Sequence, residues 1–150
     1  MYKIDQEITG MFAKWNAAVA TGDPEQIVKL YTRDAVLLPT MANTVRVGHE
    51  PIKDYFRGFL KLKPKGKILK RYITILDQNN VADDGLYSFA IIKAGKHHTI
   101  HARYSFIYEK IKGKWMIKVH HSSQLPKKPH HHYSIFNPKR WILWLAAKIE

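Results

Sequence analysis

GKWMIKVHHSSQLP, residues 113–126, is the stretch on which the reading of the fold turns. Lys112-Gly113 is a turn pair, and the residues after it alternate with the two-residue period of a strand. Counting from Trp115, one face carries Trp115, Ile117, Val119 and His121, and the other carries Met116, Lys118, His120 and Ser122. Adjacent histidines on a strand diverge and cannot chelate one ion. The alternation therefore places His121 on the apolar face and His120 on the polar one. His121 is then either a core histidine hydrogen-bonded within the sheet or part of the wall of a cavity between sheet and helices. Ser122 and Ser123 lack the strand–turn–helix setting of a hydrolase nucleophile.

Upstream of this strand the same period recurs at RYITIL (71–76), GLYSFAII (85–92) and TIHARYSFIYEK (99–110). Turn residues separate the runs at Asp77 to Asn80, at Lys93 to Lys96 and at Lys112-Gly113, and Asp83 and Asp84 are assigned to turns as well. The first sixty residues have the helical period instead. Ile4, Ile8, Met11, Phe12, Trp15 and Val19 make 4–21 an amphipathic helix. Asp23-Pro24-Glu25-Gln26 starts a second helix carrying Ile27, Leu30 and Tyr31, with Asp23 as N-cap. Asp34 turns into a short strand, AVLLPT (35–40), and HEPIKDYFRGFLKL (49–62) is a third helix. Helices followed by an antiparallel meander predict an α+β domain, with helices on one face of a curved sheet.

The chain has 150 residues, no cysteine, and 25 Lys and Arg against 12 Asp and Glu, a formal charge of +13. Its length suits one domain. The lack of cysteine excludes disulfides and thiolate chemistry, and no signal-peptide pattern opens the chain, so a cytoplasmic protein is expected. Six of the basic residues lie in KLKPKGKILKR (61–71), which reads as a solvated loop; without interleaved aromatics it makes nucleic acid an improbable partner. Residues 1–126 form the expected domain. Residues 127–150 read as a Pro- and His-containing linker and an apolar helix expected to dock on its own domain or a sister subunit. The alternatives are a foreign partner or a peripheral membrane contact, for which Lys139, Arg140, Trp141 and Trp144 have the pattern.

No metal site and no cofactor is specified by any spacing. Among the acids, Asp23, Glu25, Asp34 and Glu50 suit helix starts or turns, and Asp54 and Glu109 form no dyad, so no catalytic residue is assigned. Arg103 shares a sheet face with His101 and Ser105; on a concave face it would need a carboxylate, either internal or from a ligand.

The runs WNAAVATGDPEQIVKLYTRDAVLLP (15–39), NTVRVGHEPIKDYF (43–56), ARYSFIYEKIKGKW (102–115) and VHHSSQLP (119–126) resemble the SnoaL-like, nuclear transport factor 2-like superfamily. They are most similar to SgcJ/EcaC-type bacterial proteins, which are related to the association (hub) domain of calcium/calmodulin-dependent protein kinase II. The resemblance implies a cone, a curved antiparallel sheet wrapped around three helices with a pocket at the wide end, and homo-oligomers joined through sheet faces. Tyr55, Phe56, Gly113, Trp115, His121 and Ser123 match the hubs, whereas Ser122 stands where the hub pattern has an arginine. Two functions follow as expectations. One is a self-associating domain whose pocket binds a small anionic or polar ligand through Arg46, Arg103 and His121, with Trp15, Tyr55 and Ser105 beside them. The other is a SnoaL-like or SgcJ-type enzyme acting by acid–base chemistry on a small organic substrate.

Overall fold

A computed structural model describes residues 2–126 of the chain. Helices α1 (Tyr2–Ala20) and α2 (Pro24–Val28) precede strand β1 (Tyr31–Leu38), and β2 (Arg46–Val47) leads into α3 (His49–Phe59). Four long strands follow: β3 (Lys65–Ile75), β4 (Asn80–Lys93), β5 (Lys96–Ile111) and β6 (Lys114–Gln124). They form one six-stranded curved sheet in the order β2-β1-β6-β5-β4-β3. The linker and apolar helix expected over 127–150, including Trp141 and Trp144, lie outside the described residues. No helix among the described residues is long and apolar enough to cross a membrane.

The sheet is mixed rather than wholly antiparallel. β3 to β6 pair as successive antiparallel hairpins, but β1 runs parallel to β6. Parallel neighbours need a long crossover, and here everything from β2 to β5 supplies it.

Local signals hold where side chains meet nearby backbone. The Asp23 carboxylate accepts from the Glu25 N–H at 2.9 Å, and Pro24 occupies the first turn of α2. Leu30 and Tyr31 leave the helix because the Leu30 carbonyl accepts the Ile117 N–H at 2.7 Å, which recruits Tyr31 into the sheet. The third helix gives way after Phe59 to a 3-10 turn, Leu60–Leu62, closed by Lys63 in the left-handed region at φ 48°. Residues 65–70, expected in a loop, belong to β3. This is an edge strand, and Lys65 and Lys67 point outward from it, charges that discourage further strand pairing.

The core lies between α1, α3 and the inner face of the sheet. Ile8, Met11, Phe12, Trp15 and Val19 are all buried, so the helical stripe of the sequence is the stripe that packs. Opposite them stand Tyr87, Phe89, Tyr104, Phe106, Tyr108 and Ile117. Asp83, expected in a turn, sits inside β4 and is fully buried. Its neighbour on the inner face, Gly85, is the point of closest approach. A Cβ there would lie 1.9 Å from the Lys70 carbonyl oxygen and 3.1 Å from the Tyr104 hydroxyl. Overpacking against backbone is not relieved by a rotamer change, so Gly85→Ala should cost about 3 kcal/mol. A shift of the urea midpoint corresponding to less than about 1 kcal/mol would show that β3 yields freely.

One irregularity decides which histidine enters the core. Ile107 pairs with Val119, but the next residue, Tyr108, pairs with Ile117, so Lys118 is an extra residue in β6. β1 is irregular at the same level, between Tyr31 and Val36. The bulge turns Lys118 outward, where its ammonium meets Asp34 at 2.5 Å and Glu109 at 3.8 Å. It also inverts the alternation. Trp115 and Ile117 face inward before it; His120 and Ser122 face inward after it. His121 is exposed, which corrects the assignment drawn from strict alternation.

Candidate functional site

The inner face carries a buried line of polar groups. Trp15 Nε1–H donates to the Tyr31 hydroxyl at 3.0 Å, and the Tyr31 oxygen lies 2.9 Å from His120 Nδ1. His120 Nε2 lies 3.4 Å from the Tyr87 hydroxyl, which donates to Ser122 Oγ; Ser122 in turn contacts Thr40 Oγ1. Residues from α1, β1, β4 and β6 thus meet in one chain.

The donors fix its direction. Indole can only donate, so Tyr31 accepts from Trp15 and passes its own proton to His120 Nδ1. His120 is then the Nε2–H tautomer and donates to Tyr87, as it must if Tyr87 donates to Ser122. Ser122 and Thr40 share one hydrogen bond whichever of them donates.

His120 is enclosed by aromatic rings. Phe106 stacks on it at a centroid distance of 4.1 Å, and Trp15 meets it edge-on at 5.6 Å. Burial, with a smaller contribution from His121, lowers its pKa to about 3, so the ring is neutral at ordinary pH. Burial also raises the Tyr87 hydroxyl, against the hydrogen bond it donates to Ser122. Tyr55 is pushed up to about 12 by the same cause. Every polar group of the line is therefore uncharged.

A cleft opens beside it, walled by Tyr55, Phe59, Phe89 and Ile100, with Met41 at its lip and Thr40 and Ser122 on its polar side. Its volume is about 20 Å³, room for roughly one water molecule. No cation lines it.

The six residues expected around a ligand divide between the two sides of the sheet. Trp15 and Tyr55 line the cleft. Arg46 is on the inner side but is drawn to Asp54 on α3 at 3.2 Å and does not line the cleft. Arg103, Ser105 and His121 lie together on the outer face, where Ser105 is the cross-strand partner of His121 and Arg103 that of Ser123. The face bearing Arg103 is not the one that wraps the helices, so its guanidinium is exposed rather than buried. Tyr31, Tyr87, His120, Ser122 and Thr40 escaped the sequence reading. Among the described residues no three His, Asp or Glu side chains gather where a metal ion could sit.

The sequence profile of the calcium/calmodulin dependent protein kinase II association domain matches residues 4–126. The chain belongs to that association-domain family. A Xanthomonas campestris structure described under the same association-domain name is 46% identical, with 81% of this chain and 88% of that one covered and a TM-score of 0.80. A nuclear transport factor 2-like superfamily protein from Salmonella enterica shares the fold at 19% identity, covering 88% of this chain and 99% of its own, with a TM-score of 0.74. A nuclear transport factor 2-like protein with a cystatin-like fold from Novosphingobium aromaticivorans does so at 11% identity, covering 83% and 84%, with a TM-score of 0.69. No curated protein matches the chain. Within the association-domain frame, the nearly filled cone is a core first and a cleft second.

Proposed function

We propose that this association domain acts by self-association through the outer face of its sheet. The observation that carries this reading is a row of apolar residues in register across five strands: Val47, Val36, Val119, Ile107 and Ala82. Val47 is 57% exposed at one end, and Val36, Val119 and Ile107 are half-buried along the row. Among the described residues no helix covers this band, and a sheet face with a continuous apolar band is suited to a second sheet. Arg103, Ser105 and His121 flank the band and would form the polar rim of such an interface.

Ile107→Asp places a carboxylate in the middle of the band. It should weaken association by roughly 30-fold or more, about 2 kcal/mol or more, with an unchanged far-ultraviolet circular dichroism spectrum. Light scattering at micromolar concentration reads the result. A wild-type protein that is monomeric there, or a variant that assembles as the wild type does, would end the proposal.

The Thr40 and Ser122 hydroxyls on the polar side of the cleft support a second role for it, as a site for a small neutral ligand with a hydrogen-bond acceptor. An anion is disfavoured because nothing positive among the described residues lines the walls. Benzamide should therefore shift the cleft resonances at concentrations where benzoate does not; equal shifts would refute the selectivity. Acid–base catalysis receives less support, since both nitrogens of His120 are already committed to tyrosine hydroxyls.

A further inference from the structure

A second hollow lies at the other end of the sheet, beside the β5–β6 hairpin. It is bounded by α1, by the Lys29-Leu30 step between α2 and β1, and by the β5–β6 hairpin, and its volume is about 410 Å³. That is within the range of small-molecule sites. Its floor is apolar: Met11 and Trp115 are almost fully buried, and Leu30 and Met116 border them.

Charge at the rim is one-sided. Lys14, Lys29 and Lys114 line the hollow from three different elements. Among the described residues none of the three has an ion-pair partner, and Lys29 has only the Gln26 amide oxygen, at 3.3 Å. One carboxylate is present, that of Glu7, and it is already engaged. Trp115 Nε1–H donates to Glu7 Oε2 at 2.6 Å, and Lys110 Nζ reaches the same oxygen at 3.2 Å. Lys110 also sits 5.0 Å from the centre of the Trp115 ring. Glu7 thus holds the indole in place and has its charge answered by Lys110. The other three ammonium groups surround an indole, two thioethers and a leucine and, among the described residues, pair with no carboxylate.

We propose that this hollow binds an amphipathic anion, a carboxylate or phosphate carried on an apolar body. The body would lie over Trp115 between Met11 and Met116, where thioethers adapt to irregular shapes. The anionic group would take the lysine rim. Lysine ammonium groups are compact point charges, so they do not by themselves distinguish a carboxylate from a phosphate. The site is independent of self-association and lies away from the His120 cleft.

The test is a titration of the whole chain with octanoate, octyl phosphate and the neutral 1-octanol, following the indole N–H of Trp115 by nitrogen–proton correlation spectroscopy; Trp115→Phe identifies the resonance. Either anion should shift it saturably, at least about tenfold more tightly than 1-octanol does. The tighter of the two identifies the preferred headgroup. Lys14→Glu, Lys29→Glu and Lys114→Glu combined should abolish the shift while the remaining spectrum stays folded. If that combination unfolds the chain, Lys14→Gln with Lys114→Gln should still weaken binding about tenfold. Equal affinity for 1-octanol, an anion shift that survives the lysine changes, or shifts confined to the Tyr87 and His120 region would overturn the proposal. Those outcomes leave the oligomeric state untouched, so they are separable from failure of the association reading.

Discussion

Lowering the pH from 7.5 to 4.5 should remove about 3 kcal/mol of stability from the wild-type domain, and His120→Gln should remove most of that dependence. The buried imidazole has its pKa depressed from the ordinary 6.5 to about 3 by loss of water around it. The unfolded chain takes up a proton below pH 6.5, whereas the folded chain declines it until about pH 3. The contribution is thus fully present above pH 6.5 and is lost at about 1.4 kcal/mol per unit as the pH falls towards 3, about 5 kcal/mol altogether. A domain of ordinary stability has little more than that in reserve. Carboxylates held low by partners, such as Asp34 by Lys118 and Glu7 by Trp115 and Lys110, lose their contributions in a lower window, below the usual carboxylate range. Glutamine can accept from Tyr31 and donate to Tyr87 without titrating. Urea midpoints at pH 7.5, 6, 5 and 4.5 provide the measurement. Parallel pH slopes for wild type and His120→Gln would show that His120 is not held neutral.

That prediction rests on a residue which sequence alone put on the wrong side of the sheet, and the cause is local. Strict alternation from Trp115 is correct as far as Ile117 and fails at Lys118, where one extra residue enters β6. No composition rule announces a bulge of this kind. Its contact with Asp34, 84 positions away, is likewise invisible to local pattern. Arg103 was misplaced for a related reason. Its own strand alternates regularly, but the sequence did not say which of the two faces wraps the helices. Once Tyr104, Phe106 and Tyr108 are seen to pack under α1, the Arg103 face must be the outer one. Features written in short range were readable. The Ile8 to Val19 stripe needs only the helical repeat, and Asp23 with Pro24 needs only the backbone amides beside it. The His120 line joins residues from positions 15 to 122, and its members look locally like ordinary strand aromatics and hydroxyls. Their meeting is a property of the sheet order, which brings β1 alongside β6 after the whole meander has formed.

The largest single-residue loss expected away from the histidine is at Asp83, the fully buried carboxylate that sequence assigned to a turn. Arg71 Nε donates to Oδ1 at 3.1 Å, and the Tyr104 hydroxyl donates to the same oxygen at 3.0 Å. Arg71 Nη2 and Oδ2 also approach to 3.1 Å, without hydrogen-bond alignment. The guanidinium is mostly covered, and its Nη1 donates to the Thr9 carbonyl of α1 at 3.2 Å. The carboxylate therefore anchors an arginine that ties the first helix to the edge strand. Burial raises the Asp83 pKa while Arg71 and Tyr104 oppose it, so the pair endures through mutual neutralisation. Asp83→Ala would leave a covered guanidinium and a buried hydroxyl without their acceptor, at about 3–5 kcal/mol. The melting temperature should fall by roughly 10 °C or more. Asp83→Asn keeps an acceptor for Tyr104 and should lose less. Asp83→Leu combined with Arg71→Met should recover much of the deficit, because removing both charges spares the desolvation that removing one leaves exposed. A double-mutant cycle on urea midpoints separates the two cases. Should Asp83→Ala cost under about 1 kcal/mol, or the paired substitution be as damaging as the sum of the single ones, the ion pair is not what secures α1 to β3, and the aromatic packing beneath it carries that load alone.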